Sequence, residues 1–129
     1  EVGTGSGYQT AVLAEIVKEV CTIEIINDLG EIAAARFKHL AYNNIIVKLG
    51  DGYLGWKEHA PYDAIMVTAA LDHVPPAFVE QLKIGGRMVI PIGPAPQMQA
   101  LTLIVKKDNE TVVQEKVMPA RFVPLTGRH

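Results

Sequence analysis

The sequence predicts an α/β fold: a doubly wound sheet, mostly parallel, that finishes in an antiparallel hairpin. Three observations predict it. Short, β-branched apolar runs alternate with stretches of helical periodicity, the rhythm of strand–helix–strand units. A turn with Gly3, Gly5 and Gly7 stands where a strand should hand over to a helix. At the other end two apolar runs flank a turn-prone stretch with no helix between them, which makes a hairpin and not a crossover.

The elements follow in order. Residues 8–19 read as a helix, with Val12, Leu13, Ile16, Val17 and Val20 recurring on one face. Residues 21–26 are short, apolar and β-branched except for Glu24, the pattern of a buried strand. Asp28 followed three positions later by Glu31 fits a capping box, and Leu29, Ile32, Ala33, Phe37 and Leu40 line one side of a helix that should stop near Asn43 and Asn44. Residues 45–49 form the next strand and lead into Gly50, Asp51 and Gly52. Periodicity vanishes over residues 53–61, a loop or short helix carrying Trp56 and His59. Residues 64–68 are a strand, and Pro75 and Pro76 suit the first turn of a helix that buries Phe78, Val79 and Leu82 and ends at Gly85 and Gly86. Residues 88–92 make another strand, ending near Pro91, before the hairpin of residues 101–105 and 112–117. Only Glu1 and Val2 precede the first glycine, whereas a strand usually takes ~5 residues. The expectation is a truncated first strand, with the chain beginning inside its own central strand.

With 129 residues, 49% hydrophobic and 20% charged, the chain is expected to form one unit over residues 1–129 with a single core. A net charge of −2 offers no footprint for nucleic acid or an anionic membrane. Cys21 has no partner for a disulfide and there is no long apolar run, so a cytoplasmic setting is expected and Cys21 reads as a structural thiol.

Right-handed crossovers bring ligands to the carboxyl ends of parallel strands. Three polar features fall there. The glycine loop has a ligand-facing reading and a plain tight-turn reading. Glu24, 17 residues beyond Gly7, is placed to accept hydrogen bonds from two ribose hydroxyls, or to pair with a local lysine. Asp51 is placed to accept a bond from an exocyclic amine, or merely to shape a Gly-Asp-Gly turn. A dinucleotide fingerprint starting at Gly3 and Gly5 wants its third glycine where Tyr8 stands, which counts against a nicotinamide enzyme. No spacing suits a two-histidine, one-carboxylate metal site, so no metal is expected.

The opening run Glu1-Val2-Gly3-Thr4-Gly5-Ser6-Gly7-Tyr8-Gln9-Thr10 resembles the first motif of S-adenosylmethionine-dependent methyltransferases, specifically the protein-L-isoaspartate O-methyltransferases. Gly50-Asp51-Gly52-Tyr53, Val67-Thr68-Ala69-Ala70, Gly85-Gly86-Arg87 and Arg121-Phe122-Val123-Pro124-Leu125-Thr126-Gly127 resemble the same family in the same order. The resemblance runs through essentially the whole chain and implies a Rossmann-like methyltransferase sheet. It implies that Glu1, Val2, Gly3, Thr4, Gly5 and Ser6 hold the methionine end of S-adenosylmethionine, Glu24 the ribose, Asp51 and Gly52 the adenine, with Thr126 a further cofactor contact. Thr68 and Ala69 would flank the transferred methyl, and Val123, Pro124 and Leu125 the peptide. The implied substrates are isoaspartyl-containing peptides and proteins.

Such chemistry explains the lack of a nucleophile–base pair, because a carboxylate is already ionised at neutral pH and a sulfonium methyl is already activated. His73 is read as structural or substrate-facing, His39 and His59 as structural, and Arg121 as a surface ion pair or a substrate contact. The family also carries an N-terminal segment with a serine beside the substrate carboxylate, and no residue here takes its place, so no catalytic residue is assigned. Its absence implies weak activity, weakened cofactor affinity and self-association through the truncated edge. Two other readings share the same core: a small-molecule methyltransferase and a non-catalytic cofactor-binding module.

Overall fold

The structure, a computed structural model, describes residues 1–128. Helix α1 (Tyr8–Ile16) is followed by β1 (Val20–Glu24), α2 (Asn27–His39) and β2 (Ile45–Leu49). Two 3-10 turns, Gly52–Leu54 and Lys57–His59, lead to β3 (Tyr62–Met66). Then come α3 (Pro76–Gln81), β4 (Leu82–Ile92), β5 (Gln99–Lys106) and β6 (Val112–Ala120). Strands β1 and β2 pair in parallel, as do β3 and β4, while β5 and β6 add on antiparallel in the order β3-β4-β5-β6. The mixed α/β sheet therefore has the expected class, and its terminal hairpin lies at the edge, next to β4.

What joins the two halves is Val2. It bridges Ile23 of β1 on one side and Val67, just beyond β3, on the other, both in parallel. Its amide donates to the Met66 carbonyl at 2.9 Å, its carbonyl accepts from Thr68 N at 3.0 Å, and the flanking bonds Gly3 N to Ile23 O (2.9 Å) and Ile23 N to Glu1 O (3.0 Å) complete the zipper. The short first strand is thus the sheet's centre, between β1 and β3. Behind it lies the core of Val2, Ile65, Val67, Leu71, Phe78, Leu82, Met88, Ile90 and Ile104.

Several local expectations are corrected. Helix α1 stops at Ile16 and buries Thr10 and Ala14, while Val12, Ile16 and Val17 are exposed. Helix α2 buries Gly30, Ala33 and Phe37 and leaves Leu29, Ile32 and Leu40 outside. The physical reason is close approach: small residues let the helices sit near the sheet, and a Cβ on Gly30 would meet the Leu49 side chain and stand 3.2 Å from Glu24 Cβ. The large apolar residues then point off the contact line. Asp28 and Glu31 form no capping box; Ile26 is the N-cap and makes no side-chain cap bond. The strand expected at residues 21–26 runs Val20–Glu24, that at 64–68 runs Tyr62–Met66, and α2 ends at His39. Gly85 and Gly86 do not end α3. They lie inside β4, at the register shift where Tyr62 faces Leu82 but Ala64 faces Arg87, and Gly85 has φ +80°.

The carbonyls at the end of α3 are closed by a buried cation. Lys106, at the end of β5 and 6% exposed, donates from Nζ to Val79 O and Leu82 O, each at 2.9 Å. Replacing it with methionine keeps the stem but leaves those carbonyls dry. Lys106→Met is expected to lower unfolding stability by roughly 1–3 kcal/mol in urea titration; an unchanged midpoint would mean water satisfies them.

Candidate functional site

The site is built where β1, β2, β3 and the central strand end. Leaving Val2, the chain makes three left-handed glycines, with φ +97° at Gly3, +55° at Gly5 and +85° at Gly7, a path that residues with side chains rarely take. Gly7 is the N-cap of α1, and a Cβ there would stand 2.7 Å from the Phe37 ring. A Cβ on Gly3 would run into Thr68 Oγ1. The loop is pinned from outside by Arg36, whose guanidinium donates to Ser6 O at 3.0 Å.

Two carboxylates meet this loop. Glu24, the last residue of β1 and 6% exposed, accepts from Gly5 N at 2.7 Å and from Ile26 N at 3.0 Å. A carboxylate has about four lone-pair positions, so both oxygens keep acceptor capacity for a ligand's hydroxyls. Among the described residues no lysine pairs with it. Glu1 points the other way: Oε1 accepts from Thr22 Oγ1 at 2.7 Å and also from Thr10 Oγ1, while Oε2 is buried with no partner. Burial pushes the Glu1 carboxyl above its ordinary value, against the lowering effect of the two threonines and its own ammonium. An unpartnered buried carboxylate oxygen beside a glycine loop fits a cationic donor.

Asp51 follows β2 and caps the turn Gly52–Leu54 by accepting from Tyr53 N at 2.9 Å. Its other oxygen accepts from Arg128 N at 2.9 Å, and Gly127 packs directly on the carboxylate. Residues 127 and 128 are thereby folded onto Asp51, which brings exposed Thr126 to the same corner. Gly52 is buried against Val2 and Ile23.

Beyond β3, Thr68 closes the glycine loop by donating from Oγ1 to Gly3 O at 2.7 Å, with Val2 O at 3.0 Å. Its hydroxyl proton is committed to that contact and the oxygen's lone pairs remain. Ala69 is buried. Ala70 N donates to Val123 O at 2.7 Å and Leu125 N to Ala70 O at 2.8 Å, so Val123, Pro124 and Leu125 run beside Ala69 and Ala70 as a short parallel bridge. Val123 is 72% exposed and faces outward.

All the expected positions therefore gather at one end of the sheet. Sequence reading missed their supports Thr10, Thr22 and Arg36, and it missed the partners of His73, whose Nε2 lies 2.7 Å from Tyr53 Oη and whose Nδ1 lies 2.5 Å from Asp72 Oδ1. Thr10 alone left a signal, as the last residue of the opening run of residues 1–10. A narrow, mostly apolar cavity lined by Ile23, Trp56, Tyr62, Ile65 and Phe78 also touches Glu1 and Val2, but the other residues of this cluster do not line it. Gly7→Ala should cost roughly 1–3 kcal/mol by forcing the Phe37 ring aside at a left-handed position; denaturant unfolding showing no loss would refute this account of the loop.

The family model for Protein-L-isoaspartate(D-aspartate) O-methyltransferase matches residues 1–129. Protein-L-isoaspartate O-methyltransferase 2 of Polaromonas sp. is 57% identical over 128 residues, covering 99% of this chain and 61% of the relative. Protein-L-isoaspartate O-methyltransferase 1 of Cupriavidus necator is 57% identical over 129 residues, covering 100% of this chain and 50% of the relative. A solved protein-L-isoaspartate O-methyltransferase superposes with TM-score 0.91 at 36% identity, covering 98% of this chain and 41% of that one. A Plasmodium falciparum structure, described as a protein-L-isoaspartate O-methyltransferase in complex with S-adenosyl-L-homocysteine, gives TM-score 0.81 at 26% identity, covering 97% of this chain and 63% of that one. The chain thus spans 50% to 61% of the length of the two curated relatives. Since the family model matches from the glycine loop to the last residue and the fold agrees, this chain belongs to the protein-L-isoaspartate(D-aspartate) O-methyltransferase family.

Proposed function

We propose that the chain carries the S-adenosylmethionine-binding core of an enzyme that methylates the α-carboxylate of L-isoaspartyl residues in damaged proteins, a repair activity in the cytoplasm. The observation that carries this reading is Thr68. Its hydroxyl holds the glycine loop, and two residues on Ala70 is paired to the Val123–Leu125 backbone, so the cofactor loop and the peptide-facing segment lie on either side of one short stretch.

Bound S-adenosylmethionine would supply a methyl group already activated by its sulfonium charge. The chain's own residues bind and align. Glu1, with Oε2 buried and unpartnered, receives the ammonium of the methionine end, and the backbone of Val2, Gly3, Thr4, Gly5 and Ser6 walls it in. Glu24 accepts from the ribose hydroxyls; Asp51 and Gly52 take the adenine, with Thr126 beside them. Thr68 and Ala69 border the methyl, and Val123, Pro124 and Leu125 offer backbone groups to the peptide. A substrate carboxylate is ionised at neutral pH, so no general base is required, and alignment with exclusion of water supplies the rate.

In this reading residues 1–129 act as one unit. The single cysteine and the net charge of −2 support a reducing compartment and protein substrates over nucleic acid, and among the described residues no helix is long and apolar enough to cross a membrane. The exposed Tyr8, Ile16, Ile32 and Leu40 support self-association, which sedimentation velocity would detect.

Calorimetry with S-adenosylhomocysteine should show binding where NAD shows none, and Glu24→Ala should weaken it by on the order of 1–3 kcal/mol; an unchanged affinity removes Glu24 from the site. Methyl transfer to an isoaspartyl peptide, with the aspartyl peptide as control, tests the substrate, and equal labelling of the two overturns it. A pH series separates the role of Glu1. Its folded-state carboxyl is raised, so its negative charge is lost as pH falls through that raised value while ordinary carboxylates remain ionised. Affinity for S-adenosylhomocysteine should therefore fall on acidification before ordinary carboxylates lose their charge. Glu1→Gln should bind more weakly and flatten that profile.

A further inference from the structure

At the other end of the strands three donor side chains converge that take no part in the site above. We propose that Glu19, Cys21 and His59 form a binding site for a zinc-type divalent cation. Their ligand atoms lie within 4.8 Å of one another, and the Cys21 sulfur is 4.0 Å from Glu19 Oε1. They come from three places: Glu19 from the approach to β1, Cys21 from its second residue, and His59 from the end of the turn Lys57–His59.

The donor set carries the choice of ion. One thiolate sulfur, one imidazole nitrogen and one carboxylate oxygen suit zinc, while magnesium and calcium call for oxygen alone. A thiolate and a carboxylate balance a divalent charge. Ligands at about 2.0–2.3 Å around a tetrahedral ion lie roughly 3.3–3.8 Å apart, so the three atoms must close by about an ångström. Glu19 and His59 are exposed, while Cys21 is rooted in β1 opposite Ile46. The His59 ring is already braced by Trp56, edge to face at 4.5 Å and 83°. On binding, the Cys21 S–H bond is replaced by a sulfur–metal bond and the proton goes to solvent. The fourth position is left to water. The ion would staple the start of β1 to the link between β2 and β3.

The test is titration of reduced, metal-free protein with zinc against a chelating indicator. One zinc per chain is expected, with a rise in thermal midpoint, and cobalt in its place should show a sulfur-to-metal charge-transfer band. Cys21→Ser and His59→Ala should each weaken zinc binding by ~10-fold or more, while His39→Ala should leave it unchanged. Circular dichroism checks that the variants fold. Absence of stoichiometric zinc, zinc held equally by Cys21→Ser, or cobalt without the charge-transfer band would each overturn the site. Because S-adenosylhomocysteine binding is read separately at the glycine loop, failure here leaves the functional reading untouched.

Discussion

Everything in this structure hangs on two residues of central strand. Glu1 and Val2 supply the backbone bonds that join β1 to β3, and without them the molecule would be a two-stranded and a four-stranded sheet with no shared ladder. Backbone polar groups buried in a sheet have to be paired, so this short segment is held from both sides. The same position dictates the site. A strand in the middle of a parallel sheet must leave it sharply at its carboxyl end, and three left-handed glycines make that exit.

Around this exit the chain places carboxylates and then half-satisfies them. Glu24 takes two backbone amides, Asp51 takes two more, and Glu1 takes two threonine hydroxyls on one oxygen while the other stays buried and unpaired. Each is oriented by the protein and keeps acceptor capacity in reserve. A buried acceptor without a donor costs free energy, and that cost is offset when a ligand brings the donor. The supports come from distant parts of the chain: Arg36 on the loop carbonyl, Thr68 on Gly3, and Arg128 on Asp51.

Helix packing shows where local pattern and tertiary demand part. On α1 the large apolar side chains mark an inner face, yet the buried positions are Thr10 and Ala14; on α2 Ala33 and Phe37 of the expected face are buried, but with Gly30 and without Leu29, Ile32 and Leu40. Helical periodicity locates a stripe, but how close a helix comes to a sheet depends on which residues are small. Gly30 must let α2 reach Leu49 and Glu24, and that requirement turns Leu29, Ile32 and Leu40 outward. The paired glycines after α3 are ambiguous for a related reason: Gly-Gly ends a helix or bends a strand, and only the register of β4 against β3 tells which.

By itself the sequence determined the order of elements, the class of the sheet and the three strand ends where Glu1, Glu24 and Asp51 stand. These depend on neighbours in the chain: β-branched runs, glycines that permit a left-handed path, and carboxylates at fixed offsets from them. Only the tertiary structure decided which faces are buried, that the hairpin adds at the edge next to β4, that Arg128 reaches back to Asp51, and that Glu19 and Cys21 meet His59. Those facts join residues as much as 77 positions apart. Local preference carries no information about such pairs, because they are set by the packing of whole strands and helices around Val2.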